Sequence, residues 1–276
     1  MKISAIIVVY NKDISRSVTF KNIKAYGGID VFVVDNSTNE NQNKAYSESN
    51  HAKYLSMSGN KGLSKAYNTA INMLTDSDLI VILDDDTDVP VKYFDELKKQ
   101  VEMMPDCDIF VPIIKGQNGI IYSPNNYSFL KNKLVTDPVK EVRQDRFNAI
   151  SSCMAIRMRV FDDYRYNEKL FVDEVDHCFC REQRAIGRKF GILNVEIEQK
   201  FHQREAKIAA DSAWKRESIR IVDIFRHARI IGKRQYISLA FVKCCGLGVQ
   251  IGKKSRSLAV VGKAFALSSK LLFVDE

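Results

Sequence analysis

The sequence predicts an α/β fold built on a mostly parallel sheet, and three observations predict it. Three short runs rich in β-branched residues, Ile3–Tyr10, Asp30–Val34 and Leu79–Leu83, have the pattern of strands buried on both faces. Between the second and third lies Leu63–Leu74, where Leu63, Ala66, Tyr67, Ala70, Ile71 and Leu74 form one apolar stripe at helical spacing. Each strand run leads into a polar cluster: Tyr10-Asn11-Lys12, Asp35-Asn36-Ser37 and Asp84-Asp85-Asp86. Alternating strand and helix implies parallel strands covered by helices, and such sheets bind ligands beyond the carboxyl ends of their strands. The three clusters are therefore expected at one edge.

Further along, Pro90, Pro105, Pro112, Pro124 and Pro138 break residues 88–147 into short elements, and Gly116–Asn126 reads as a hairpin or loop. The acidic run Phe171-Val172-Asp173-Glu174-Val175-Asp176-His177 opens a helix that runs to Ile186. A second helix is expected over Trp214–Ile231. Its Ile221, Val222, Ile224, Phe225, Ala228 and Ile231 lie on one side, and its Arg220, Asp223, Arg226, His227 and Arg229 on the other. Two apolar stretches follow, Tyr236–Val242 and Ser257–Phe273, separated by Lys253-Lys254-Ser255-Arg256.

A chain of 276 residues suits one large domain, or one domain with an appendage. Its net charge of +8 is unevenly placed: residues 1–199 hold slightly more acidic than basic side chains, whereas residues 200–276 are strongly basic. A neutral body with a basic, apolar-rich tail points to a membrane surface or an acidic partner, and no basic or stacking motif supports nucleic acid. The opening apolar run is too short for an export signal, and no run approaches the roughly 20 residues of a membrane span. The expected location is the cytoplasm, with the inner face of the plasma membrane as a peripheral site. Cys107, Cys153, Cys178, Cys180, Cys244 and Cys245 lack zinc-site spacing and are read as reduced core residues.

Three aspartates after so apolar a strand as Leu79–Leu83 repel one another unless a cation or hydrogen-bond donors offset them, and Mg²⁺ or Mn²⁺ does this with one or two carboxylates. Strand alternation would send Asp84 and Asp86 to one side and Asp85 to the other. Gly59-Asn60-Lys61-Gly62 forms a turn at a helix start, where free backbone N–H groups favour an anion. The dinucleotide and P-loop glycine patterns are absent. Asp35 can accept hydrogen bonds from a base or ribose. In the 171–177 run a carboxylate is a candidate general base, or the run is simply an acidic first helical turn. His202 is a candidate metal ligand or a structural histidine.

Taken in order, Val8-Val9-Tyr10-Asn11, Val34-Asp35-Asn36-Ser37, Gly59-Asn60-Lys61-Gly62 with Asn68, Leu83-Asp84-Asp85-Asp86-Thr87, Ser151-Ser152-Cys153, Phe171 through Asp176, and Phe201-His202 resemble the family 2 glycosyltransferases of GT-A fold. The closer resemblance is to the bacterial rhamnosyltransferase-like branch that builds surface polysaccharides. It implies a catalytic domain over residues 1–205, with a nucleotide-sugar half over about 1–90 and an acceptor half over about 91–205. Residues 206–276 would form a basic helical extension. Tyr10, Asn11 and Asp35 would hold the nucleoside, and Asn60 and Gly62 would shape the donor pocket. Asp84 and Asp85 would face the donor sugar and ribose, Asp86 with His202 would hold Mn²⁺ or Mg²⁺, and Asp176 would be the base. The donor implied is a UDP- or dTDP-sugar and the acceptor a saccharide, free or lipid-linked, with a membrane surface or a second copy of the chain as partner of the extension. Two positions depart from the family: Cys153 stands where glycine is common, and Cys178 where an acidic residue often follows the base. A sugar-nucleotidyltransferase would carry a glycine-rich, arginine-containing loop in place of Tyr10-Asn11-Lys12-Asp13, and a degenerate, non-catalytic relative would have lost the aspartates.

Overall fold

The computed structural model describes residues 1–199 and 210–274. Strand β1 (Ile3–Val9) pairs in parallel with β2 (Asp30–Asp35) on one side and β4 (Leu79–Leu83) on the other. Strand β3 (Lys53–Ser56) extends the sheet beyond β2, also in parallel. Beyond β4 lie the antiparallel β10 (Met154–Arg157), then β5 (Ile109–Gly116) and β11 (Phe190–Gln199), parallel to each other. The Gly116–Asn126 segment is indeed a hairpin return: β6 (Ile121–Ser123) folds back on β5. A small second sheet holds β7 (Asn125–Ser128), β8 (Lys131–Lys133) and β9 (Phe147–Asn148).

Period-two alternation sorts the strand residues into two layers. Ile3, Ala5, Ile7 and Val9 of β1, with Val31 and Val33 of β2, pack beneath α1 (Val18–Tyr26) and α4 (Val91–Met103), through Phe20, Ile23, Phe94 and Leu97. Ile6, Phe32, Val34, Ile80 and Ile82 pack on the opposite face, against Ala66, Tyr67, Ala70 and Ile71 of α3 (Leu63–Met73) and Val175 and Phe179 of α6 (Val175–Ala185). Burial on both faces explains why these strands read as unbroken apolar runs. The short helices α2 (Asn43–Ser49) and α5 (Pro138–Glu141) close the connections. Five of the six cysteines are buried, and all six are unpaired.

Helices α7 (Ala210–Ile231), α8 (Arg234–Ser255) and α9 (Leu258–Phe273) pack together on a third core of Ile221, Phe225, Ala240, Cys244, Ala264 and Leu271. Helix α8 extends well past the expected Val242, and its glycines explain how. A Cβ at Gly248 would lie 2.5 Å from that of Ala264, and one at Gly252 would lie 2.3 Å from Val261, so the glycines allow α8 and α9 to approach closely. The two helices are joined by a turn at Arg256, in the left-handed conformation. No described helix is long and apolar enough to cross a membrane. One expectation is corrected here: Asp223 and His227 do not lie on a solvated face of α7 but are fully buried, because each is held by the body of the protein, as described next.

Candidate active site

The carboxyl ends of β2, β1 and β4 share one edge, because the register aligns Val9 with Asp35 and Ile7 with Leu83. Asp35, the last residue of β2, is buried and accepts hydrogen bonds from Asn43 (2.9 Å), Tyr54 (3.0 Å) and the Ser37 backbone (2.9 Å). Burial pushes its carboxyl up, but these donors outweigh it and hold Asp35 below the usual range, so it stays an anion. Asn11 is in the left-handed conformation and braces the next turn: its backbone N–H donates to Ser37 Oγ (2.8 Å), and its Oδ1 accepts from Thr38 N (2.9 Å). Tyr10 is exposed at the same rim.

Asn36 ties this edge to the turn before α3, donating to Asn60 Oδ1 (3.1 Å) and accepting from Lys61 N (2.7 Å). Gly62 is required there twice over. Its φ is +86°, and a Cβ would stand 2.7 Å from Phe171. Leu63 N donates to Phe171 O across this contact (2.6 Å), joining the turn to the acidic run.

The three aspartates do not alternate as a continued strand would place them. Strand β4 ends at Leu83 and the chain turns, so Asp84 accepts from Gln199 Nε2 (2.7 Å), whereas Asp85 and Asp86 share Lys12 Nζ (2.8 and 3.1 Å). Burial, with the nearby charges of Asp86 and Asp85, pushes the Asp84 carboxyl up despite the Gln199 hydrogen bond. The turn is partly open to a cleft of about 350 Å³ lined by Lys12, Asp13, Arg16, Asp85 and Asp86, and with Asp84 beside it the carboxylates outnumber the cations. Hard oxygen donors with uncompensated charge fit Mg²⁺ or Mn²⁺. Among the described residues no group of three or more His, Cys, Asp or Glu side chains forms a closed metal cage. An ion there would take its other ligands from water and substrate. His202 lies outside the described residues.

The acidic run resolves into three different environments. Asp173 is held by Arg216 of α7 in a bidentate pair. Glu174, left-handed at the helix cap, accepts from Tyr127 (3.4 Å) and faces His227 Nδ1 at 2.8 Å. Burial pushes Glu174 up, but His177, His227 and Arg220 prevail and hold it down to about 2. Among the described residues Asp176 accepts a hydrogen bond from the His177 backbone N–H alone (2.8 Å), and burial pushes its carboxyl up. It lines a cleft of about 480 Å³ with Tyr122, Tyr127, His177, Arg220 and Lys243. His177 stacks on Tyr127 with ring centroids 4.6 Å apart and hydrogen-bonds Asn148 (2.9 Å).

Two groups connect these parts. Buried Tyr67 has its phenol raised first by burial and then by the charges of both Asp84 and Asp176. Asp223 of α7 accepts the backbone N–H groups of Phe171 (2.9 Å), Val172 (2.8 Å) and Asp173 (2.9 Å), so α7 holds the run that carries Asp176. Sequence reasoning missed Lys12, Tyr67, Gln199, Asp223 and His227 as site residues. Lys12 lay within a polar cluster already singled out. Asp223 and His227, four apart, were legible as neighbours on one helix face.

Residues 4–165 match the glycosyl transferase family 2 domain. The chain belongs to this family. No curated protein matches it in sequence. Among solved structures, S. aureus TarS 1–349 in complex with UDP-GlcNAc is 14% identical, with a TM-score of 0.53 over 99% of this chain and 89% of TarS 1–349. GalNAc-T7 with UDP, GalNAc and Mn²⁺ is 13% identical, with a TM-score of 0.57 over 98% of this chain and 55% of that one. The family 2 glycosyltransferase thus shares its mixed α/β fold, the mostly parallel sheet with flanking helices, with GT-A enzymes.

The Asp223 contacts carry a direct expectation. Asp223→Ala leaves three half-buried N–H groups without their acceptor and should lower unfolding free energy by roughly 1–3 kcal/mol. Asp223→Asn, which keeps one carbonyl oxygen, should lose less; urea denaturation of both variants reads the difference.

Proposed function

We propose that this family 2 glycosyltransferase transfers a sugar from a nucleoside-diphosphate donor to a saccharide hydroxyl with inversion, in bacterial surface polysaccharide synthesis. The observation that carries the reading is the division of carboxylates: Asp35 and Asp84–Asp86 at the strand edge, and Asp176 with Glu174 lining a second cleft. The order of the motifs supports the rhamnosyltransferase-like branch.

In this reading Tyr10, Asn11 and Asp35 receive the nucleoside, Asn60 and Gly62 shape the pocket, and Asp84 and Asp85 face the ribose and sugar. A divalent cation bound at Asp86, with His202, would supply Lewis-acid stabilisation to the leaving diphosphate. Asp176 takes the proton of the acceptor hydroxyl as that oxygen bonds to the anomeric carbon and the bond to the diphosphate breaks on the opposite face. Asp173 and Glu174 are engaged by Arg216 and His227, whereas Asp176 has a carboxyl raised by burial and lines a cleft. The UDP-GlcNAc bound to TarS and the UDP and Mn²⁺ with GalNAc-T7 support a UDP-sugar donor and Mn²⁺, with dTDP-sugars the other class.

The C-terminal helices expose Val242, Leu258, Phe265 and Phe273 and carry Lys253, Arg256 and Lys263. This combination supports contact with an anionic membrane surface, where a lipid-linked acceptor would be presented. Flotation of the full chain with anionic but not neutral vesicles is the expected result. Dimerisation through the same face, read by sedimentation equilibrium without lipid, is the competing one.

Two further outcomes are expected. In a thermal-shift series with UDP, dTDP and GDP conjugates, one nucleotide class should stabilise the wild-type chain in Mn²⁺ or Mg²⁺ and not in EDTA, and Asp86→Ala should remove that response. No response to any nucleotide would favour a non-catalytic relative. Asp176→Asn should keep donor binding and lose transfer. In the wild type Asp176 must be unprotonated to act, so kcat/KM should fall as pH drops through its raised pKa, placing the acid limb above the usual aspartate value of about 4. Retained transfer by Asp176→Asn would move the base to Asp173 or Glu174.

A further inference from the structure

A cleft of about 810 Å³ adjoins the strand edge at Asn60, which Asn36 holds, and shares no lining residue with the clefts at Asp85 and Asp176. Three chain segments meet around it. Lys61 and Lys65 come from the first turn of α3, Lys169 from the loop ahead of the acidic run, and Arg226 and Arg229 from α7. The one carboxylate in the lining, Glu168, accepts a hydrogen bond from Asn68 (3.1 Å). Among the described residues Lys61, Lys65 and Lys169 make no ion pair. Arg226 stands 3.7 Å from Asp223, whose oxygens already accept three backbone N–H groups.

These segments are fixed relative to one another. The Leu63 N–H bond to Phe171 O joins α3 to the loop, and Asp223 joins the same loop to α7. Lys61, Lys65 and Lys169, carried on segments that are tied together, give the cavity a positive potential to which Arg226 and Arg229 add, and an anion that enters it is favoured. The positive end of the α3 dipole adds to the potential beside Lys61 and Lys65. The volume exceeds what a single phosphate fills.

We propose that this cleft binds a multiply charged, phosphate-bearing ligand through Lys61, Lys65, Lys169, Arg226 and Arg229, at a site that adjoins the donor pocket at Asn60 and uses none of the residues of the Asp85 and Asp176 clefts. The source of the phosphate is soluble or lipid-borne. The second fits the surroundings, because Arg229 also donates to the carbonyls of Leu271 and Val274, next to the exposed Phe273 at the end of α9.

The test uses the full chain and calorimetric titration with sodium tripolyphosphate in EDTA, which removes the metal that the donor edge requires, in the proposed function, to hold a diphosphate; UDP binding is read in a separate titration with Mn²⁺. Lys65→Glu with Lys169→Glu is compared with a control of equal charge change, Lys21→Glu with Lys92→Glu; all four lysines are exposed. The Lys65/Lys169 pair should raise Kd at least about tenfold and the control less than about threefold, since only the first removes charge from the cleft. Lys65→Gln with Lys169→Gln should fall between, with an unchanged thermal midpoint. Equal weakening by both Glu pairs, or no tripolyphosphate binding by the wild-type chain, overturns the proposal. Because UDP binding is measured separately in each protein, failure of the donor reading leaves the comparison intact. Flotation with phosphatidylcholine vesicles, with and without phosphatidic acid, then identifies the source. Loss of acid-dependent flotation by Lys65→Glu with Lys169→Glu assigns the site to lipid-borne phosphate, and retention assigns it to soluble phosphate.

Discussion

The parallel register of β2, β1 and β4 is the constraint from which the active-site edge follows. These strands are buried on both faces, so a slip of one residue would exchange their two apolar layers and carry Asp35 into a core that offers it no donors. The observed register places Asp35, Asn11 and the Asp84–Asp86 turn together at the carboxyl ends, where each has polar partners. Lys12 offsets part of the aspartate charge, Asn43 and Tyr54 satisfy Asp35, and Asn36 ties the edge to the α3 turn. The hydrophobic pattern thus determines the position of the polar chemistry.

A second constraint comes from the other end of the chain. Asp173, Glu174 and Asp176 are chemically similar and nearly adjacent, yet their surroundings give them different roles. Arg216 and His227, both on α7, engage the first two, and Asp176 is left facing a cleft with its carboxyl raised by burial. Asp223, one turn before His227, holds the backbone of the same run. Helix α7 is therefore integral to the site's geometry, although it lies outside the residues that match the family domain.

How far this was legible in the sequence depends on the range of the interactions. The strands β1, β2 and β4 and the helix α3 could be read directly, because periodicity and burial are local patterns. Strand β3 was missed, since Lys53–Ser56 is half exposed and carries no long apolar run. The strand-end clusters were legible because topology alone puts them on one edge. The partition of the aspartates was not, because period-two alternation applies only while the chain remains a strand, and it turns after Leu83. Asp223 and His227 were read as a solvated face by their polarity. Their burial depends on partners some 50 residues away, which helical periodicity cannot reveal.

The same long-range contacts connect the basic cleft to the base. The loop over Lys169–Phe171 lines the cleft, seats Gly62 at the start of α3, and continues into the residues held by Asp223 and on to Asp176. A charged ligand among Lys65, Lys169 and Arg226 would act on the segment that sets the position of Asp176 through a short run of backbone hydrogen bonds, each with a named donor and acceptor. An effect at that distance requires the ligand to favour one arrangement of the loop over another. Asp223 is the residue through which such a difference would pass, because it contacts the loop at three consecutive N–H groups and lies within 4 Å of a cleft cation.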